Sequence, residues 1–287
     1  MYAVTGITGQ VGGAVARSLL GAGQRVRAVV RDANKGASLA ERGCDVVLAE
    51  MTDAAALTGA FTGVDGVFVL IPPLFDPTPG FPEVRAIVAA LKAALTTSSP
   101  PKVVSLSTIG AQAREPNLLN QLGMAEQELD TLPLPIAFLR AAWFIENAAS
   151  DIAPARESGV IQSFLQPLDK PVPMVATADI GRVAAELLQE SWQGRRIVEL
   201  EGPRRITPND IAAALAEILR RPVRAQAVPR ATWESLFAAQ GMKNPLPRAQ
   251  MVDGFNAGWI EFAGGEKHSR KGVVELETAL RDLVARS

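Results

Sequence analysis

Six short apolar runs rich in β-branched residues punctuate the first half of this chain: Tyr2–Thr5, Arg25–Val30, Asp45–Ala49, Gly66–Ile71, Lys102–Ser107 and Ile136–Arg140. Between them lie five stretches with helical spacing: Gln10–Ala22, Asn34–Arg42, Asp53–Phe61, Phe81–Thr96 and Asn117–Leu132. Most of the runs alternate little between polar and apolar residues, so both faces of each strand must be covered, as in a parallel sheet. Parallel neighbours need a crossover, and a helix is the usual one. The pattern predicts an α/β fold built on a Rossmann-type, doubly wound parallel sheet.

After Arg140 the rhythm changes. Trp143–Glu157 reads as a helix, Val160–Leu165 as a short strand, and "TADIGRVAAELL" as a helix capped by Thr177 or Asp179. "RRIVEL" reads as a strand returning to the main sheet. From Gly202 the chain is helix-rich and interrupted by Pro208, Pro222, Pro229, Pro245 and Pro247. The expected organisation is a nucleotide-type domain over residues 1–155, rejoined by a strand at 195–201. A smaller, mostly helical substrate lobe takes residues 156–194 and 202–287.

Charge and cysteine content narrow the function classes. A net charge of −1 gives no broad positive field, so neither nucleic acid nor an anionic membrane is an expected partner. The basic clusters Arg220–Arg224 and Lys267–Lys271 read as solvated ends or loops. A single cysteine, Cys44, excludes an intrachain disulfide and suits a reducing compartment. No apolar run approaches the ~20 residues a bilayer demands. The first strand candidate starts at Tyr2, leaving no room for a signal peptide, so a cytoplasmic location is expected. His268 is the only histidine and reads as a surface residue, and no Cys/His/Asp cluster suggests a metal site.

The segment "VTGITGQVGGAV" falls between the first strand and the first helix, the context a dinucleotide site requires. Gly6 can make the sharp turn, Gly9 lets the backbone approach a pyrophosphate, and Gly12 or Gly13 lets helix and strand pack closely. The helix N-terminus then offers N–H groups and its positive dipole end to the phosphates. Thr5, Thr8 and Gln10 add donors on the same loop. In "RVRAVVRD", Arg31 stands 19 residues after Gly12, where an acidic residue would select NAD(H). A guanidinium there suits a 2′-phosphate, with Asn34 and Lys35 assisting, so the expected cofactor is NADP(H) rather than NAD(H). Asp32, the next residue, argues the other way. Thr52 and Asp53 read as caps of the third helix or as ligand contacts. Pro72 and Pro73 stiffen the wall after the fourth strand, and Leu74 and Phe75 add apolar surface.

With these residues in place, the chain resembles the NmrA-like family of atypical short-chain dehydrogenases/reductases. The resemblance rests on "TGITGQVGGAV", "RAVVRD", "MTDAAAL", "SLSTIGA", "FLRAAWFIEN" and "VATADIGRVAAELL", over residues 1–202, and more weakly on "FNAGWIEF". It implies an NADPH-dependent oxidoreductase of the quinone or dye reductase kind. It places Gly6, Thr8, Gly9, Gln10, Val11 and Gly12 on the pyrophosphate, Arg31 on the 2′-phosphate and Asp53 near the adenine. Ile71, Pro72 and Pro73 would run along the ribose, with Ser107, Trp143 and Phe144 at the nicotinamide.

One departure limits the chemistry. Ordinary short-chain dehydrogenases protonate their product through a Tyr-x-x-x-Lys pair after the fifth strand, whereas the only tyrosine here is Tyr2. No Tyr, Lys or His occurs between Thr108 and Arg140, and Leu122 stands where many relatives keep a Lys or His. Ser107 and Thr108 are the remaining catalytic candidates, though hydroxyls are poor proton donors near neutral pH. Glu126 and Glu146 read as solvated or paired. Leu74, Phe75, Trp143, Asn147 and Phe164 are the substrate-binding candidates, with Phe144 and Met174 as further walls. The expected function is hydride transfer from NADPH to a small, electron-poor aromatic or conjugated acceptor such as a quinone, by a chain able to form a homodimer. The alternatives are a non-catalytic NADP(H) sensor that binds a protein partner, and an imine reductase or isomerase on the same scaffold.

Overall fold

A computed structural model of the chain describes residues 1–287. The first half alternates strand and helix: β1 (Tyr2–Val4), α1 (Gln10–Gly21), β2 (Val26–Val30), α2 (Ala33–Ala40), β3 (Asp45–Leu48), α3 (Ala54–Phe61), β4 (Gly66–Val69), α4 (Pro82–Ser98), β5 (Val103–Thr108), α5 (Asn120–Leu129) and β6 (Ile136–Ala141). The second half runs β7 (Trp143–Phe144), α6 (Ile152–Glu157), β8 (Val160–Ser163), β9 (Met174–Val175), α7 (Thr177–Gln189) and β10 (Arg195–Glu201). It ends with α8 (Pro208–Leu219), β11 (Arg224–Ala227), α9 (Trp233–Ala239), α10 (Leu246–Ala257), β12 (Arg270–Lys271) and α11 (Leu276–Arg286).

Eight strands form one parallel sheet in the order β12-β10-β6-β5-β4-β1-β2-β3. The chain winds outward from β1 to β3, then crosses back to β4 and winds outward the other way. The reversal between β1 and β4 is a topological switch point, where loops at the carboxyl ends of the strands part and leave a crevice. Two apolar cores cover the faces. One of 53 buried residues holds α1, α7 and the second half of the chain. The other, of 23, holds α3, α4 and α5. Fully buried side chains such as Leu19, Phe61, Phe68 and Leu91 each contribute about 1.5–3 kcal/mol by leaving water.

Local chemistry sets several helix starts. The Asp53 carboxylate accepts from Ala56 N at 2.9 Å and the Asp32 carboxylate from Asn34 N at 2.8 Å, capping α3 and α2. Thr207 and Asp210 cap α8 reciprocally, with Pro208 at the first helical position. Asn117 accepts from Leu119 N at 2.7 Å and makes a turn of its own, so α5 starts at Asn120 rather than Asn117.

Other expectations change in the second half. Trp143–Glu157 is not one helix: Trp143–Phe144 pairs with Met174–Val175, and a 3₁₀ helix over Ile145–Asp151 precedes α6. Neither Thr177 nor Asp179 caps α7. Ala176 is the cap position, and the Glu146 carboxylate accepts from both Thr177 N (2.8 Å) and Thr177 Oγ1 (2.6 Å). Asp179 instead accepts from Val273 N, Val274 N and Arg182, each at 2.9 Å, and holds the C-terminal segment. Helix α7, in the stretch assigned to the smaller lobe, packs on α1 under the main sheet. A Cβ on Gly181 would lie 2.4 Å from the Ala14 Cβ, so the two helices meet at van der Waals distance there. β8 and β11 form a separate parallel pair, while β12 joins the main sheet beside β10.

Candidate functional site

The glycine segment lies on the crevice at the switch point. β1 ends at Val4, and the Thr5 hydroxyl turns inward, accepting from Leu70 N at 2.8 Å and donating to Phe68 O at 3.2 Å. Thr5 therefore ties β1 to β4 and is not a donor on the loop. Gly6 takes φ +63°, a left-handed turn that strains any side chain, and Gly9 N closes it on Gly6 O at 3.0 Å. A Cβ on Gly12 would lie 2.3 Å from Gly6 O, which only displacement of the backbone could relieve. Gly9, exposed, faces a milder limit, with Gly6 O at 3.3 Å from a Cβ. Helix α1 has no side-chain cap and no acidic residue in its first turn. Its first N–H groups and dipole thus suit an anion. The cradle fits a dinucleotide pyrophosphate, with Thr8 and Gln10 exposed beside it and Val11 buried beneath.

A cavity of about 340 Å³ opens next to this loop, between α1 and α2. Arg17, Lys35 and Arg42 line it with Thr8 and Gly9, and no acidic residue does. Arg31 is exposed at the end of β2. The Asp32 carboxylate caps α2 and does not line the cavity, whose three cations favour an additional phosphate. Asp53, at the carboxyl end of β3, is exposed as well as capping α3.

Across the crevice, Ile71 is buried, Pro72 and Leu74 are half-buried, and Phe75 is 58% exposed. Gln121, on α5, donates to Leu74 O at 3.1 Å and steadies this wall. Its Oε1 is buried and has no partner. Both catalytic candidates have their protons engaged: Ser107 donates to Glu126 Oε1 at 2.5 Å, and Thr108 to Ile109 O at 3.1 Å. Glu126 is neither solvated nor alone. Arg140 grips it with two hydrogen bonds, at 2.9 and 2.6 Å, reaches Gln112 Oε1 at 3.1 Å, and stands 3.6 Å from Glu199. Burial lowers the Arg140 pKa, but the bonds to Glu126 and the charge of Glu199 outweigh it and leave the guanidinium above its usual value.

The remaining candidates separate. Trp143 stacks edge-on against Phe255 at 5.2 Å, with Phe144 half-buried beside it. Phe164 is wedged between Trp233 and Phe237, at 5.7 and 5.0 Å. Asn147 is exposed on the 3₁₀ helix. Met174 is fully buried in β9, a core residue more than a wall. His268 is exposed, as expected. A larger opening of about 770 Å³ along Gly264–Lys271 has no apolar lining residue, and so no surface for a planar ring. No group of three or more His, Cys, Asp or Glu residues is gathered to hold a metal. No helix is long and apolar enough to cross a membrane.

Sequence reasoning missed the Ser107–Glu126–Arg140 chain and the orphaned Gln121 oxygen. Each takes shape only when separate elements pack together. The only signal was that Glu126 and Gln121 stand on the helix following Ser107.

A model of the NmrA-like family matches residues 2–269. The NAD(P)H azoreductase of Xenophilus azovorans is 29% identical over 251 residues, covering 87% of this chain and 84% of that protein. The structure of the Escherichia coli NADPH-dependent quinone oxidoreductase superposes with a TM-score of 0.78 at 25% identity, over 99% of both chains. The Citrobacter sp. triphenylmethane reductase complexed with NADP(H) superposes at 0.80, at 21% identity, over 98% of this chain and 99% of that one.

Proposed function

The chain belongs to the NmrA-like family, and from that premise we propose that it is an NADPH-dependent oxidoreductase reducing a small, electron-poor aromatic or conjugated acceptor of the quinone type. The observation that carries the reading is the glycine cradle, in which Gly12 approaches Gly6 O too closely for any side chain and the first turn of α1 has neither a side-chain cap nor an acidic residue. Arg31, Lys35 and the cation-lined cavity beside that loop favour the extra phosphate of NADP(H). The azoreductase and quinone oxidoreductase relatives support the reaction class.

When bound, NADPH supplies the hydride. The chain's own part is to hold and orient. The glycine cradle fixes the phosphates, while Ile71, Pro72, Trp143 and Phe144 offer apolar or stiff surfaces toward the reacting end. Positioning of this kind replaces a bimolecular encounter and accounts for a large share of a barrier. No side chain on α5 offers a proton: Leu122 is apolar, and the Glu126 carboxylate is held by Arg140 and Ser107. An acceptor whose reduced form is a stabilised anion needs no such group. A quinone that received the hydride would need one further proton, which water can supply, so the reaction would require no side-chain acid.

The test is an acceptor panel of quinones, azo dyes, imines, enones and simple aldehydes and ketones, with NADPH consumption followed optically and cofactor binding measured separately by calorimetry. Turnover with quinones or azo dyes, and little with simple carbonyls, is expected. Tight NADPH binding without oxidation by any acceptor would overturn the reading and leave a cofactor-sensing role.

A further inference from the structure

Arg248 has no acidic partner. The other arginines with a displaced pKa, Arg140, Arg182, Arg205 and Arg230, are each bonded to carboxylates, which raise them. Arg248 alone moves down, through burial and nothing else. Its guanidinium lies 4.3 Å from the centre of the Phe237 ring, and its one polar contact is the Met242 sulfur at 3.6 Å. It is also the third residue of α10, whose first turn has no acidic residue and no side-chain cap. A cation there opposes the positive end of the helix dipole. Desolvation, the dipole and the lack of a counter-ion all disfavour this charge, and an arriving anion would supply the missing counter-charge and offset the other two.

The place in the fold matters as much. The turn before α10 is tied to the loop leaving β4, because Asp76 accepts from Lys243 N and Asn244 N. Its next residues are tied to the loop leaving β5, because Leu118 N donates to Pro247 O at 2.9 Å. Seven residues beyond Arg248, on the same side of α10, Phe255 stacks on Trp143 at 5.2 Å. Arg248 thus stands about 10 Å along the helix from that aromatic pair, at 1.5 Å of rise per residue. It sits where the second half of the chain closes over the crevice ends of β4 and β5.

We propose that Arg248 is a specificity residue that receives an oxyanion substituent of the acceptor, a sulfonate, carboxylate or phosphate, so that acidic acceptors are the preferred class. The proposal rests on the hydride-transfer reading above. The Phe237 ring holds the planar guanidinium from one face, leaving its edge N–H groups for a bidentate anion. The N–H groups and dipole of the first turn of α10 add to the attraction.

The experiment compares 1,2-naphthoquinone-4-sulfonate with unsubstituted 1,2-naphthoquinone for the wild type, Arg248→Met and Arg248→Lys. The ratio of kcat/KM, sulfonated over neutral, is expected to fall about tenfold or more in Arg248→Met, through KM, with partial recovery in Arg248→Lys. A guanidinium that only packs on Phe237 leaves that ratio unchanged, and this result overturns the proposal. Naphthalene-1-sulfonate, which cannot be reduced, is titrated calorimetrically against each NADP⁺-saturated protein. Weaker binding to Arg248→Met supports the anion site even if no acceptor turns over, and equal binding to both proteins overturns it.

Discussion

Asp151, the last residue of the 3₁₀ helix before α6, carries a carboxyl group that burial alone pushes up to about 6, with no cation or donor drawing it back. In an unfolded chain the same group titrates near 3.8. The folded state therefore prefers the neutral acid. The stabilisation from that preference is complete below about pH 4 and is lost as pH rises through about 6. Above that, the protein holds an uncompensated, half-buried charge. Replacing Asp151 with Asn removes the charge and keeps the shape, so at pH 8 the variant should be more stable by about 1–2 kcal/mol in urea unfolding. Near pH 4 the gain should vanish. An equal gain at both pH values would show that burial of the charge is not the cause. Arg140 and Glu126 make the opposite case: each is buried, but each is paired, so removing one partner leaves the other exposed to the full desolvation cost.

At the scale of elements, long-range hydrogen bonds fix what local patterning leaves open. Asp179 is wholly buried and binds two consecutive backbone N–H groups of a segment more than ninety residues away. Gly272 passes so close that a Cβ there would lie 2.3 Å from the Asp179 oxygen. Asp179→Ala leaves Val273 N and Val274 N without partners and should cost about 2–4 kcal/mol. It should also raise hydrogen exchange at those two amides, and at the start of α11, well above the rest of the chain. Unchanged protection there would mean that the β12–β10 pairing and the packing of α11 hold the segment without Asp179. None of this was legible in "TADIGRVAAELL", where an Asp near a helix start suggests a cap. The local pattern located α7, but the carboxylate that caps it is Glu146, 31 residues upstream. Trp143–Phe144 was unreadable for the same reason: two residues form a strand only because Met174–Val175 lies beside them.

For the whole molecule, the readable part was the part where each element carries its own evidence. Most strands from β1 to β6 are buried on both faces and largely apolar, the edge strand β3 excepted, and the helices between them keep their period, α2 and α3 with side-chain caps as well. Hence the sheet, the switch point and the glycine cradle follow from the residues. The crevice's far wall does not, because Gln121, Glu126, Arg140 and Arg248 acquire roles only through partners on other elements. The cradle joins these parts, since a dinucleotide lying along it would touch loops from both sides of the switch point. A ligand that binds only the folded state stabilises it by mass action, about 2.7 kcal/mol at 100 times Kd. For a chain of this size that corresponds to a rise in Tm of about 5 °C. NADP⁺ at a fixed concentration should therefore raise Tm by about that much, and NAD⁺ by clearly less. Arg31→Glu should bring the NADP⁺ shift down to the NAD⁺ level while sparing the NAD⁺ shift, because a carboxylate repels a 2′-phosphate and accepts from a free 2′-hydroxyl. Scanning calorimetry of both proteins with both nucleotides gives the answer. If the two shifts shrink together, Arg31 is holding the loop and not reading the phosphate.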